Sequence, residues 1–514
     1  MRRGRPVLRA TAGARWRHAW KLSCQPKQPR TSTGRRQRRR DTASIRATQR
    51  PVAESRHAPP APEHSDRHPD DRLERTLSLT DATLLVVSSV IGVGIFLTPG
   101  VVAANLPAPS LFLLAWATGG LLSLAGALAN AELGAMYPHA GGDYVFVREA
   151  YHPTAGFLVG WLSFFVIYAG TVATLAMGFA EALGTWVTLG DAAKIAVAIG
   201  ITLVTSWINH VGVRPGALVN NATAVLKIAT LTGLGVLGWL FTPQSPAAVV
   251  ATTTGDALPA GGATLTGFGL ALSPVLFSYL GWNASVYVAS EVRDPQRNLP
   301  RSLLLGLGLC TALYLLMNAL YLHALPVRSL AGEPRAGEAA AVALLGPVGG
   351  SVVAALILLS ILGCLNATIL VGPRIAYAMA LDGVFFSGAE RVHERFRTPH
   401  VAIRVQALTA VGLILLLQSF PSVLDYTTFA IVAATIADTG ALYALRVRQP
   451  ERPRPYRAWG YPLVPALYLI ANAGIALAML RGRPLECAVA LLVTASGLPF
   501  RAAFASRRSR GRAP

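Results

Sequence analysis

Ile91-Gly92-Val93-Gly94-Ile95-Phe96-Leu97-Thr98-Pro99-Gly100 interrupts the first long apolar run of the chain, Thr80–Ala104. Glycine and proline in mid-helix loosen the backbone and remove hydrogen bonds. At membrane depth the freed N–H and C=O groups are tolerated only where protein or a water-filled cavity surrounds them. A second run, Thr266–Val292, carries the same kind of break at Ser273-Pro274 and again at Gly281-Trp282-Asn283.

Working outward, apolar runs of about 20 residues recur, each long enough to cross a hydrocarbon core about 30 Å thick. They are too continuous for barrel strands. The candidate spans are Thr80–Ala104, Ser110–Met136, Thr154–Leu183, Ala192–Val211, Ala217–Phe241, Thr266–Val292, Ser302–Leu325, Val348–Ala380, Val401–Phe420, Leu424–Val447, Tyr461–Leu480 and Leu485–Arg501. Composition agrees: 53% of the 514 residues are apolar and 14% charged, too little charge to cover a soluble protein of this size. The expected fold is therefore an all-α polytopic membrane protein of about 12 transmembrane helices. The two broken spans are the first and the sixth. Five is an odd number, so a second copy of a five-span repeat inserts upside down. Broken first helices in two inverted halves mark a binding site near the bilayer midplane. Close helix packing at Gly-x-Gly is the plainer reading of either break taken singly.

The net charge of +21 is unevenly spread. About twenty of the 46 Lys and Arg precede residue 76, in a segment too poor in apolar residues to fold. Its basic, acid-poor start resembles a transit peptide without the apolar stretch of a secretory signal, and an over-extended gene start is the other reading. The clusters Arg35–Arg36 and Arg38–Arg40 would suit phosphate, but no nucleic-acid-binding motif accompanies them, so no nucleic-acid partner is expected. Elsewhere cations favour one set of connections: Arg148, Arg214, Arg293 to Arg301, Arg391 to Arg404 and Arg446 to Arg457. The positive-inside rule then places both termini in the cytoplasm of a cell (inner) membrane protein, although Arg328, Arg335, Arg481 and Arg483 dissent. The division that follows is a basic tail at 1–76, a first five-helix repeat at 77–241, an external loop at 242–265, a second repeat at 266–447, two further helices at 448–501 and a basic cytoplasmic tail at 502–514. Cys24, Cys310, Cys364 and Cys487 lie singly, with no metal-ligand spacing, and the last three read as small buried hydrophobes. No cofactor, metal or catalytic constellation is expected.

Two charges inside spans stand out. Lys227 lies roughly 16 Å along the fifth span by helical rise. An ammonium there costs at least about 2.5 kcal/mol and must face the interior with partners. It is either a proton-exchanging group or a permanently charged strut. Asp438 in the tenth span either pairs with a cation, lines the cytoplasmic pathway or is interfacial. Glu132, Glu291 and Arg374 sit near cytoplasmic helix ends, where they read as gate or loop-anchoring ion pairs or, more simply, as solvated ends.

The Ile91–Gly100 segment resembles the first helix of amino acid–polyamine–organocation permeases, as do Ala131-Glu132-Leu133, Tyr137-Pro138 and Gly141-Gly142-Asp143-Tyr144 after the second. Phe277-Ser278-Tyr279-Leu280-Gly281-Trp282-Asn283, with Glu291–Arg301, is similar to the sixth helix of the L-type amino acid transporter-like branch. Gly372-Pro373-Arg374 and Gly460-Tyr461-Pro462 fit the eighth and eleventh helices. The resemblance implies two inverted five-helix repeats (LeuT-like) with two peripheral helices, and a secondary transporter of amino acids, coupled to protons or acting as an exchanger. Polyamine transport and amino-acid sensing without transport are the alternatives. It implies that amides near Val93 and Gly94 take the substrate carboxylate, that carbonyls near Val90 and Phe277 take its ammonium, and that Trp282 and Asn283 shape the side-chain pocket, with Gly92, Leu280 and Gly281 also among the substrate-binding residues. Leu280 stands where many relatives have glycine, which favours small or medium neutral amino acids. Lys227 matches a lysine held near helices 1 and 8.

Overall fold

A computed structural model describes residues 73–183, 186–241, 261–417, 420–482 and 484–510. The basic segment before residue 73, most of the 242–265 loop and residues 511–514 lie outside them, so the expectations placed there are untouched. Among the described residues every regular element is helical, apart from one isolated bridge between Leu77 and Val292.

The chain enters the bilayer through a capping box. Ser78 accepts from the Asp81 amide, and the Asp81 carboxylate accepts from the Ser78 amide at 2.8 Å. Helix α1 (Leu79–Val90) then stops, and α2 (Gly94–Asn105) continues at a bend of 46°. After it come α3 (Pro109–Met136), the short connecting helix α4 (Asp143–Ala150), α5 (Pro153–Leu162), α6 (Ala169–Leu183), α7 (Asp191–Val211) and α8 (Val213–Phe241). A π-helical turn, Ser163–Tyr168, joins α5 to α6 within the third span.

The second half runs through α9 (Gly261–Ser278), the one-turn α10 (Ala284–Tyr287), α11 (Pro295–Ala324), α12 (Val327–Leu330), α13 (Ala336–Val371) and α14 (Pro373–Leu381). The helices α15 (His400–Leu417), α16 (Phe420–Arg448), α17 (Leu463–Gly482) and α18 (Pro484–Arg510) complete it. The eighth span was expected to begin at Val348. Helix α13 indeed turns at Gly346, φ 69°, just before Pro347. Nine of these helical stretches are long and apolar enough to cross a bilayer, and the bent pair α1 and α2 makes a tenth. Two shorter apolar helices, Gly267–Ser278 and His400–Leu416, stand where the sixth and ninth spans were expected. The sixth ends at its own break, at Ser278.

Packing separates a core from a periphery. Helix α3 packs along α11, and α1 lies against α8, α11 and α13, so the broken first span is enclosed by other helices. The last two helices are far more exposed: Leu463, Ile470 and Leu492 are each at least two-thirds exposed, as suits a lipid-facing surface.

At Glu132, Glu291 and Arg374 the simpler expectation, solvated helix ends, gives way to the other one, anchoring ion pairs. Glu291 and Arg374 are each 1% exposed and form a bidentate ion pair at 2.6 and 3.0 Å. Glu132 is fully buried and accepts from Arg446 at 2.6 and 3.0 Å and from the Ala458 amide at 2.6 Å. Partners 83 and 314 residues away cover these ends, which no local reading of sequence anticipates.

Candidate functional site

Residues 91–93 leave the helix between α1 and α2, and this frees backbone groups. The Gly92 amide turns back to the Val90 carbonyl at 2.8 Å. The amides of Val93 and Gly94 have no partner among the described residues, and no side chain caps α2. They are the orphan donors of a helix N-terminus, where positive partial charge gathers. On the other broken span, α9 ends at Ser278 and the chain passes through Gly281 at φ 96° before α10. That left-handed conformation suits glycine.

The two breaks touch. A methyl group on Gly94 would lie 2.8 Å from the Ser278 Cα, so only glycine lets the chains approach this closely. Thr98 Oγ1 and Ser278 Oγ lie 2.9 Å apart, with either able to donate. The Tyr314 hydroxyl, from α11, lies 2.8 Å from the Val90 carbonyl and 2.9 Å from that of Ser278, holding both breaks from one side. The Val90 carbonyl, which already accepts from the Gly92 amide, has a lone pair for a ligand only when the Tyr314 hydroxyl turns to Ser278. The Phe277 carbonyl accepts from the Leu280 amide at 3.1 Å and likewise keeps one.

Lys227 reaches the break from α8. It is 2% exposed, and its ammonium donates to the Ser88 carbonyl at 3.1 Å and the Ile91 carbonyl at 2.7 Å, with Cys364 Sγ at 3.7 Å. Ser360 and Cys364, from α13, also donate to the Ile91 carbonyl. The unwound end of α1 is thus fixed between the fifth and eighth spans. Cys364, read from sequence as a plain buried hydrophobe, is part of this contact.

A cavity of about 170 Å³ opens beside the breaks. Of the nine residues expected to bind substrate, Val90, Gly92, Val93, Gly94, Phe277, Leu280, Gly281 and Asn283 line it. Trp282 does not. Past the left-handed turn at Gly281 its ring points away from the cavity, 6.2 Å from the Tyr468 ring and close against Gly126 of α3. The rest of the wall comes from spans that the sequence had not singled out: Tyr168, Thr171 and Thr174 from the third, Thr368 from the eighth, Thr427 and Thr435 from the tenth. In the sequence these threonines look like ordinary hydroxyls bonded back to their own helix, as Thr174 and Thr435 are. Tyr168 closes the π-helical turn, a geometry frequent at functional sites.

Asp438 lies one turn beyond Thr435, behind the wall. It is 1% exposed. The Asn130 amide donates to it, and no ion-pair partner is present among the described residues. Asp143, at the start of α4, does reach the cavity and accepts from the Tyr287 hydroxyl.

The comparisons with known proteins agree with this geometry. The family model described as amino acid permease matches residues 77–493. The chain is 31% identical to the serine/threonine exchanger of Bacillus subtilis over 435 residues, 84% of this chain and 97% of that one. It is 28% identical to the human b(0,+)-type amino acid transporter 1 over 474 residues, 91% and 92% of the two chains. To the rabbit large neutral amino acids transporter small subunit 2 it is 28% identical over 439 residues, 83% and 80%. The chain belongs to the amino acid permease family: it is a multi-pass membrane transporter of amino acids and not an enzyme.

Proposed function

We propose that this protein exchanges small and medium neutral amino acids across the cell membrane by alternating access. The observation that carries the reading is the pair of unpartnered amides at Val93 and Gly94, set beside carbonyls of both breaks in one cavity. A zwitterion needs that arrangement. Its carboxylate takes the N-terminus of α2, and its ammonium takes the spare lone pair at Phe277 and that of Val90 once the Tyr314 hydroxyl turns to Ser278. Leu280 and the threonines then bound the side chain.

The division into repeats at 77–241 and 266–447 belongs to the same reading, with about twelve spans, residues 448–501 peripheral and both termini cytoplasmic. One repeat moves against the other around the site.

Exchange is favoured over proton symport through Lys227 because that ammonium is fully engaged with fixed backbone carbonyls. It acts as a permanent strut in the place of a coupling cation. The similarity to a serine/threonine exchanger supports both the substrate size and the mode. A polyamine carrier is less well supported, since Asp143 is the lone acidic side chain among the described cavity-lining residues.

The test is uptake of labelled serine and threonine into proteoliposomes. Uptake that requires unlabelled amino acid inside, and no proton gradient, agrees with the proposal. Uptake driven by a proton gradient into empty vesicles contradicts it.

A further inference from the structure

Asp143 and Asp438 are two carboxylates, 2% and 1% exposed, on the packed elements α4 and α16. The charge of Asp143 is felt at Asp438. Neither has an ion-pair partner among the described residues. One oxygen of each is hydrogen-bonded, Asp143 Oδ2 by Tyr287 and Asp438 Oδ2 by Asn130. The other oxygen of each is buried without a partner, and so is the Asn130 carbonyl oxygen.

Everything else that faces them is neutral. The phenols of Tyr168 and Tyr287 lie in the field of Asp143, and those of Tyr151, Tyr287 and Tyr468 in that of Asp438. The arginines further along α16 are spoken for: Arg446 binds Glu132, and Arg448 donates to the carbonyls of Ala150 and Tyr151. Two buried negative charges so placed cannot both persist without a positive one. A bulky ammonium has no path to Asp438, which lies behind the cavity wall, whereas a proton needs only Asp143 at the surface. Asn130 fits a proton site too, because its amide carries a donor for the carboxylate and an acceptor for the acid.

We propose that Asp143 and Asp438 share one proton, and that this site, on the α4 side of the substrate cavity, must keep it for exchange to proceed. The proposal rests on the transport reading above. The proton enters and leaves through Asp143, the one of the two that lines the cavity. When it is lost, two facing carboxylates repel, and α4 is pushed from α16 beneath the cavity. Burial raises the Asp143 carboxyl to about 6, in keeping with a proton held near neutrality.

The experiment is serine exchange in proteoliposomes with equal pH on both sides, scanned from about pH 5 to about pH 9. Wild type is expected to slow several-fold on the alkaline side, Asp438→Glu to keep that limb and Asp438→Asn to lose it. A flat wild-type profile, or the same limb in Asp438→Asn, overturns the proposal. So does lysine exchange that Asp438→Asn abolishes while leaving serine exchange and its pH profile intact, because the site would then hold a substrate ammonium. Should Asp438→Asn not fold, infrared spectra of wild type and Asp438→Glu decide. A protonated-carboxyl band at about pH 7.5 that shifts between the two supports the proposal, and its absence overturns it. A shifting band in a protein that exchanges nothing at any pH would refute the transport reading and leave the proton site standing.

Discussion

Lys227 Nζ donates to the Ile91 carbonyl at 2.7 Å, joining the fifth span to the unwound end of the first across 136 residues of sequence. The contact places a fixed positive charge beside the break and satisfies a carbonyl that the helix has given up. It also depends on Gly363: a methyl group there would lie 2.7 Å from the ammonium.

Lys227→Met removes the charge while keeping most of the bulk. The Ser88 and Ile91 carbonyls lose their charged donor and keep only the weaker Cys364 thiol and, at Ile91, the Ser360 hydroxyl. The expected result is a lower melting temperature in detergent and a fall in serine exchange of about tenfold or more. Gly363→Ala should do the same by displacing the ammonium. Unchanged exchange in both variants would remove the strut from the account.

Gly281→Ala tests the turn of the sixth span. Its φ of 96° is disfavoured for a residue with a Cβ, by about 1–2 kcal/mol, and the added methyl would lie 2.8 Å from the Ser89 carbonyl. Thermal stability and exchange should both drop. Gly269→Ala, with nothing near its Cβ, is the control expected to leave both unchanged.

Breaking the Glu291–Arg374 pair from one side leaves a buried charge unpaired, at about 3–5 kcal/mol. Glu291→Gln and Arg374→Met should each reduce the yield of folded protein, read by size-exclusion chromatography, far more than the double variant does relative to their sum.

Leu280→Gly should enlarge the cavity on its side-chain wall. Competition against labelled serine is expected to show leucine and phenylalanine gaining as inhibitors, with serine itself little altered. A uniform loss of all substrates would mean that Leu280 supports the turn and does not set the size.

Much of this was legible in the sequence because membrane helices are specified locally. Runs of apolar residues locate the spans to within a few positions, and Gly92, Gly94 and Gly281 mark the breaks through backbone chemistry alone. Lys227 announced its partners by the cost of burying an ammonium. The third and tenth spans' part in the cavity was not legible, since Thr171, Thr174, Thr427 and Thr435 are unremarkable residues until the fold turns them inward. The burial of Glu132, Glu291 and Arg374 was missed for a related reason. Their partners are distant in sequence, and a charge near a span end reads as solvated until something covers it. Trp282 shows the converse: a residue next to a correctly read turn faces the other way because of that turn.

The central claim is that the free amides of Val93 and Gly94 hold a substrate carboxylate. The most direct measurement is exchange efflux: proteoliposomes loaded with labelled serine, with one of three compounds added outside, namely serine, its methyl ester or ethanolamine. The account predicts that only serine, with its carboxylate intact, drives efflux. Efflux driven equally well by ethanolamine or the ester would contradict it, and would turn the protein from an amino acid exchanger into an amine carrier.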